Sequence, residues 1–171
     1  LESERGDPDA AFENAAVKLD QVYVTPAETH NPIELQGTIA IWEGSKLTIY
    51  EESQGVFNLR SVLAQMFGLP KESVHVITRF VGSGFGSKLF PWTHCPLAAA
   101  AARALGKPVK LVISRRMMFE TTGHRPRTQQ RVRLGATPEG KLVSVQHDYV
   151  YHRSMWGEHH EDCGEATPFQ Y

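Results

Sequence analysis

A glycine-rich segment near the middle of the chain constrains the fold more than any other part of the sequence. It reads VGSGFGSKL over residues 81–89, with glycines at alternate positions (Gly82, Gly84 and Gly86). Glycine adopts positive φ angles at little steric cost and lets the backbone come close to a ligand. Successive N–H groups in such a turn can converge on an anion or an oxygen atom. The segment therefore predicts a loop that binds a ligand.

The residues on either side of this segment predict alternating strands and helices. Apolar residues at helical spacing predict a helix at 56–67. A second helix is predicted at 93–105, with Thr93 as its N-cap and Gly106 as its stop signal. Strands are predicted at 18–24, 37–42, 46–50, 73–78, 108–113, 127–134 and 141–151, and shorter helices from residue 9 and at 115–122. This interleaving predicts a mixed α/β (α+β) fold. Residues 1–171 are expected to form part of one domain, with an irregular tail at 152–171.

The composition and the remaining sequence patterns exclude several classes of function. A formal net charge of −1 provides no basic surface for nucleic acid. The sequence contains no run of about 18 apolar residues, the length needed to span a membrane. Cys95 and Cys163 are too few and too far apart for a disulfide scaffold, and a buried, unreactive Cys95 is expected. The sequence HHEDC at 159–163 lacks the spacing of a zinc motif and is expected to be solvated surface.

Two common glycine-loop motifs do not fit residues 81–89. A P-loop requires Ser or Thr directly after its lysine, whereas Lys88 is followed by Leu89. A dinucleotide-binding fingerprint has the spacing G-x-G-x-x-G and an acidic residue about 20 positions later. Here the third glycine, Gly86, comes one position early, and residues 104 and 105 are Ala and Leu. From the residues alone, a plain glycine-rich turn and a ligand-binding loop both stay open.

Other segments in register with the loop carry a family resemblance. Ser-Gln-Gly at 53–55 lies at a predicted strand-to-helix junction, Gly-Leu-Pro at 68–70 follows the helix, and His-Asn-Pro-Ile-Glu lies at 30–34. Gly-His-Arg-Pro follows at 123–126. Together these segments resemble the molybdenum-binding large subunit of the xanthine dehydrogenase and aldehyde oxidase family, which has the pattern G-G-G-F-G-[GS]-K in the loop. The resemblance runs from about residue 9 to at least residue 149 and is greatest to the bacterial three-subunit, aldehyde-oxidising branch.

The resemblance implies a cofactor, site residues and partners. The cofactor would be molybdenum–molybdopterin, with the molybdopterin cytosine dinucleotide form left open. Gln54 would donate a hydrogen bond to an oxygen ligand of the metal, and Phe85 would contact the metal site through its backbone. The cofactor-binding residues implied are Gln54, Gly82, Ser83, Gly84, Phe85 and Gly86. Electrons would pass to 2Fe-2S and FAD centres on partner subunits. Because a partner can carry an export signal in such enzymes, the compartment stays undecided between cytoplasm and periplasm.

The resemblance also implies the reaction and its substrate class. The family hydroxylates carbon centres using water, and its xanthine-oxidising members carry a glutamate at the position of Leu89 that binds the purine. An apolar residue there favours an aldehyde or a related heteroaromatic as substrate. The family's essential glutamate lies further along a longer subunit, so no catalytic residue is assigned within these residues, and a fragment inactive on its own is expected. The alternative is a non-catalytic cofactor-binding or assembly module with the same fold.

Overall fold

Two separate β-sheets organise the chain in the structure, a computed structural model that describes residues 3–153, 155 and 167. One compact unit is Thr29–His124, and the other combines the described residues before Thr29 with those after His124. Most of the tail predicted at 152–171, with Cys163 and the HHEDC sequence, lies outside the described residues. Within the described residues, no helix has the length and apolar character needed to cross a membrane.

The order of strands and helices confirms the mixed α/β fold expected from the sequence. Every predicted strand and helix is present, with boundaries that differ by a few residues at most. In chain order the elements are α1 (Pro8–Glu13), β1 (Val17–Thr25), β2 (Gly37–Glu43), β3 (Lys46–Glu51), α2 (Val56–Phe67), a 3₁₀ turn (Lys71–Ser73), β4 (Val74–Ile77), α3 (His94–Leu105), β5 (Val109–Val112), α4 (Arg115–Thr121), β6 (Thr128–Ala136) and β7 (Leu142–Tyr151).

The unit Thr29–His124 is built on a four-stranded sheet in the order β4-β3-β2-β5. Alternate residues of β3 point into the core, so Leu47 and Ile49 are fully buried in a cluster shared with α2 and α3. β2 is antiparallel to both of its neighbours, whereas β3 and β4 are parallel. The connections that follow β3 and β4 therefore leave from the same edge of the sheet. This edge brings residues 52–55 next to residues 78–93, at the position where open α/β sheets bind ligands.

The two ends of α3 compare differently with the sequence prediction. Gly106 ends the helix in the left-handed conformation, with φ at 61°, as predicted. Thr93 occupies the N-cap position, but its side chain makes no capping hydrogen bond, so the predicted capping role is wrong. The backbone of Thr93 is already helical, with φ −54° and ψ −28°. The first turn is closed by the main chain instead, because the Cys95 N–H donates to the Trp92 carbonyl at 3.1 Å.

The second unit is a three-stranded antiparallel sheet in the order β1-β6-β7, with α1 packed on it. Phe12 of α1 is buried, and the Arg133 guanidinium lies 4.1 Å from the centre of its ring. Arg133 also donates to Asp9 at 2.8 Å, and Arg131 donates to Asp20 at 2.7 and 2.8 Å. The arginines of β6 therefore form ion pairs within this unit.

Candidate functional site

The glycine-rich loop connects β4 to α3 and has an unusual backbone. Gly82, Ser83, Phe85 and Gly86 all have positive φ angles, at 54°, 64°, 54° and 99°. The left-handed region costs a residue with a side chain about 1–2 kcal/mol relative to ordinary conformations. Since Ser83 and Phe85 both occupy this region, contacts from the surrounding structure must hold the loop in this shape.

Gln54, in the connection after β3, makes the contacts that hold the second half of the loop. Its backbone N–H donates to the Lys88 carbonyl at 2.8 Å. Its side-chain Oε1 accepts the N–H of Gly86 at 3.1 Å and the N–H of Lys88 at 3.3 Å. Two N–H donors can be met only by the oxygen of the carboxamide, so they fix the orientation of the group. The remaining end, Nε2, makes no hydrogen bond within the described residues, and the side chain is exposed.

At two of the loop glycines, side chains from other segments pack against the backbone. A Cβ atom on Gly84 would collide with the Gln54 carboxamide, and a Cβ atom on Gly82 would collide with the Glu34 side chain. At Gly86 the nearest neighbour of a Cβ atom would be His30 Nε2, at 3.5 Å. Segments 30–34 and 53–55, which carried the family resemblance together with the loop, therefore enclose the loop in this unit.

The N–H groups of the loop fall into two sets. Those of residues 86–89 are all bonded internally: Gly86 and Lys88 to Gln54, Ser87 to the Gly84 carbonyl at 3.0 Å, and Leu89 to the Gly86 carbonyl at 3.2 Å. In contrast, the N–H groups of residues 82–85 donate no hydrogen bond within the described part of the chain. The N–H groups of the exposed residues Gly82, Ser83 and Phe85, together with Gln54 Nε2, are thus open neutral donors, whereas Gly84 is buried. Such a donor set fits an oxygen-rich ligand such as an oxo group or a phosphate.

Lys88 contributes no charge to this donor cluster. Its side chain is 1% exposed, and Nζ donates to Glu34 Oε2 at 2.8 Å and to the Val81 carbonyl at 2.5 Å. The neighbouring Ser87 is also buried, and its carbonyl accepts the Trp92 indole N–H at 2.5 Å. The lysine of this loop is therefore turned into the protein, unlike the lysine of a P-loop, which reaches phosphate oxygens.

The edge of the loop presents apolar side chains. Leu89 and Phe90 are each 42% exposed, and Phe85 is 66% exposed. The Leu89 carbonyl is held by the Asn58 side chain, whose Nδ2 donates to it at 3.3 Å. A Cβ atom on Gly55 would lie 2.8 Å from the same carbonyl, so the backbone fits closely here. A molecule at this rim would meet hydrophobic contacts from these three side chains.

A buried polar cluster below the loop had no signal in the sequence. Glu51, the last residue of β3, contacts His94 Nε2 at 2.8 Å and accepts a hydrogen bond from the Thr38 hydroxyl. Cys95 is fully buried, as expected. Burial raises the pKa of the Cys95 thiol far above its usual value, and the nearby Glu51 carboxylate raises it further. The thiol is therefore unreactive, and the Glu51–His94 pair joins the two connections that carry Gln54 and the glycine loop.

Comparison with known proteins identifies similar chains. The sequence matches the family model described as "Molybdopterin cofactor-binding domain" over residues 1–170. It is 41% identical over 143 residues to the aldehyde oxidoreductase molybdenum-binding subunit PaoC of Escherichia coli K12. The matched residues make up 84% of this chain and 20% of that relative. It is 30% identical over 163 residues to the carbon monoxide dehydrogenase large chain of Hydrogenophaga pseudoflava. This match includes 94% of this chain and 20% of that relative.

Among solved structures, the aldehyde oxidoreductase from Desulfovibrio gigas superimposes with a TM-score of 0.77 at 26% identity. That match covers 85% of this chain and 16% of the other chain. The chain therefore spans about a fifth of the length of the curated relatives described above.

Proposed function

The chain belongs to the molybdopterin cofactor-binding domain family found in large subunits of molybdenum hydroxylases, and on this basis we propose that it forms part of the cofactor pocket of an enzyme that hydroxylates aldehydes. Related heteroaromatic substrates belong to the same proposal. Its 41% identity to a subunit named as an aldehyde oxidoreductase supports the aldehyde class. The whole subunit would be considerably longer than these residues, because the chain covers 20% of that relative.

The orientation of the Gln54 carboxamide is the observation that carries this proposal. Its oxygen is occupied by the N–H groups of Gly86 and Lys88, so its NH₂ end is the donor presented to a ligand. A neutral donor can orient an oxygen ligand of a metal without adding charge next to the metal. The N–H groups of Gly82, Ser83, Gly84 and Phe85 would provide further donors along the cofactor.

The residue types around the loop suit binding and orientation of a cofactor rather than redox chemistry of their own. The molybdenum cofactor, when bound, would supply the redox chemistry that adds an oxygen atom from water to the substrate carbon. The residues described here would bind and orient it, with Gln54 and the backbone of Phe85 and Gly86 nearest the metal. The cytosine dinucleotide form of molybdopterin is included in the proposal. Iron–sulfur (2Fe-2S) and FAD subunits would be the electron-accepting partners, in the cytoplasm or the periplasm.

The apolar rim of the loop supports an aldehyde rather than a purine as substrate. Leu89 cannot form hydrogen bonds to the ring nitrogens or carbonyls of a purine, which would then be buried without partners. An aldehyde presents one carbonyl and an apolar body, and the exposed faces of Leu89, Phe90 and Phe85 suit the apolar part.

The test is the metal content and the turnover of the full-length protein that carries this chain, purified with its partner subunits. We expect close to one molybdenum and one molybdopterin per large subunit, with turnover of aromatic aldehydes well above that of hypoxanthine. Absence of molybdenum from soluble, folded protein would refute the proposal. The alternative, a non-catalytic cofactor-binding or assembly module, would be supported by stoichiometric molybdenum without turnover of any aldehyde or heteroaromatic compound tested.

A further inference from the structure

The glycine loop contains one basic side chain, Lys88, which the proposed function leaves without a role. A lysine in a glycine-rich loop ordinarily suggests direct contact with an anionic ligand. Here its side chain is 1% exposed, and its ammonium group donates to Glu34 and to the Val81 carbonyl. Direct contact with a ligand at the exposed face of the loop is therefore excluded in this conformation.

The contacts of Lys88 and Glu34 connect the beginning of the loop to its end. Lys88 Nζ donates to the carbonyl of Val81, seven residues earlier, at 2.5 Å. The same ammonium group donates to Glu34 Oε2 at 2.8 Å, and the Glu34 N–H donates to the Gly82 carbonyl at 3.3 Å. The ion pair therefore fixes both loop ends to each other and to segment 30–34.

We propose that Glu34 and Lys88 are positioning residues whose partly buried ion pair holds the glycine loop in its cofactor-binding conformation. The proposal rests on the proposed function of the loop and adds a role for residues that would not touch the cofactor. Ser83 and Phe85 adopt left-handed backbone angles that are unfavourable for residues with side chains. The closed ring through Val81, Glu34 and Lys88 supplies the restraint that keeps these angles, so the donors at 82–85 are aligned before a ligand arrives.

The ion pair also explains why the positive charge of Lys88 has little electrostatic effect on a ligand bound at the loop. The Glu34 carboxylate neutralises the Lys88 ammonium group, so Lys88 adds no net charge to the backbone and amide donors of the loop. Lys88 is the buried partner, so removing Glu34 leaves a buried ammonium group uncompensated, whereas removing both charges is much less damaging to folding. This difference allows loop positioning to be separated from general stability.

The experiment uses the full-length protein with its partner subunits and four variants. Glu34→Gln keeps the size of the side chain and removes its charge, Lys88→Met removes the ammonium group, and a third variant combines both changes. Lys46→Met is the matched control, because Lys46 is an exposed lysine beside the β2–β3 turn and also loses one positive charge. Molybdenum and oxidised pterin are measured per folded subunit after size-exclusion chromatography, together with the thermal unfolding temperature of each variant.

We expect molybdenum per folded subunit to fall about 3- to 10-fold in Glu34→Gln and at least about 10-fold in Lys88→Met, since the loop loses its restraint. The double variant should regain most of the unfolding temperature lost by Glu34→Gln, which leaves the buried ammonium group of Lys88 without its carboxylate, and should still contain little molybdenum. Lys46→Met should match the wild type in both measurements.

Two results would overturn the proposal. The first is wild-type molybdenum content in folded Glu34→Gln protein, and the second is a double variant that regains molybdenum along with stability. If Lys88→Met and the double variant fail to fold, Glu34→Gln decides, since its side chain is partly exposed and its size is unchanged. A wild-type protein without molybdenum would refute the proposed function itself, so the two failures are distinguishable.

Discussion

Replacing Gln54 by glutamate and, separately, by alanine tests whether the oxygen of its carboxamide holds the loop and whether its NH₂ group is needed for turnover. Glutamate retains an oxygen for the N–H groups of Gly86 and Lys88, at 3.1 and 3.3 Å from Oε1 in the native chain. A charged acceptor strengthens such hydrogen bonds by up to about 1–2 kcal/mol relative to a neutral one. The loop of Gln54→Glu should therefore keep its shape, and the cofactor-free protein should unfold at or slightly above the wild-type temperature.

The same substitution should nearly abolish turnover. It removes the NH₂ donor, worth about 1 kcal/mol, and puts a carboxylate where an oxygen-rich ligand is proposed to bind. Two unit charges about 4 Å apart repel by about 4 kcal/mol at an effective dielectric constant of about 20. Since about 1.4 kcal/mol corresponds to a factor of ten, we expect kcat/KM per bound molybdenum, or molybdenum content itself, to fall at least about 100-fold.

Gln54→Ala should give the opposite pattern in stability. It removes the acceptor of both N–H groups, and the one on Lys88 belongs to a buried residue. An unsatisfied buried donor costs about 1–3 kcal/mol, so the unfolding temperature should fall along with turnover. The assays are differential scanning fluorimetry of cofactor-free protein and steady-state aldehyde oxidation of the full-length enzyme, with Gln65→Glu on the exposed face of α2 as the charge-matched control. Wild-type turnover in Gln54→Glu would refute the donor role, and equal destabilisation by both substitutions would refute the fixed orientation of the amide.

Three further predictions follow from the same unit. Ser83→Gly should raise the free energy of unfolding by about 0.5–1 kcal/mol, because glycine adopts φ of 64° without strain. An unchanged or lowered free energy of unfolding in chemical denaturation would contradict this. Leu89→Glu should lower kcat/KM for an aromatic aldehyde about 10-fold and raise the purine-to-aldehyde ratio, and an unchanged ratio would remove Leu89 from the substrate site. Cys95 should resist alkylation by iodoacetamide in native protein up to about pH 9, because burial raises its thiol pKa and the thiolate is the reactive form. Mass spectrometry measures the alkylation rate, and a rate equal to that of an unfolded control would show that the thiol is accessible.

Local sequence patterns predicted the helices and strands of this chain well, but they could not predict contacts between residues far apart in the sequence. The apolar spacing within 56–67, and the helix stop at Gly106, involve residues a few positions apart and were confirmed. Thr93 has a suitable side chain for an N-cap, but the main chain at Trp92 closes the first turn of α3 instead. The Glu51–His94 contact joins residues 43 positions apart and the Glu34–Lys88 contact joins residues 54 apart. No periodic pattern encodes such pairs, because they depend on how β3, β4 and the loop meet.

The spacing of the loop glycines has a physical origin that the sequence alone did not reveal. A ligand-binding interpretation attributes the glycines to close approach of the ligand. In the structure, the space that a Cβ atom would need at Gly82 and Gly84 is filled by Glu34 and Gln54 of the protein itself. The residues between them, Ser83 and Phe85, carry side chains although their φ angles are positive. The glycines thus lie where the Glu34 and Gln54 side chains pack against the loop, and the N–H groups of residues 82–85 donate no hydrogen bond within the described residues.

This arrangement explains why three separate segments were needed to interpret the loop. A glycine-rich turn by itself specifies neither Glu34 nor Gln54, and it could occur in many folds. A loop that needs glycine because Glu34 and Gln54 pack against it requires those residues at fixed places in the chain, here 48 positions before Gly82 and 30 before Gly84. The segments at 30–34, 53–55 and 81–89 therefore form a single structural unit, and substitution in any of them should affect cofactor binding through the same loop. A Gly84→Ala variant that kept full molybdenum content, despite displacing Gln54, would show that the loop and its supports act independently.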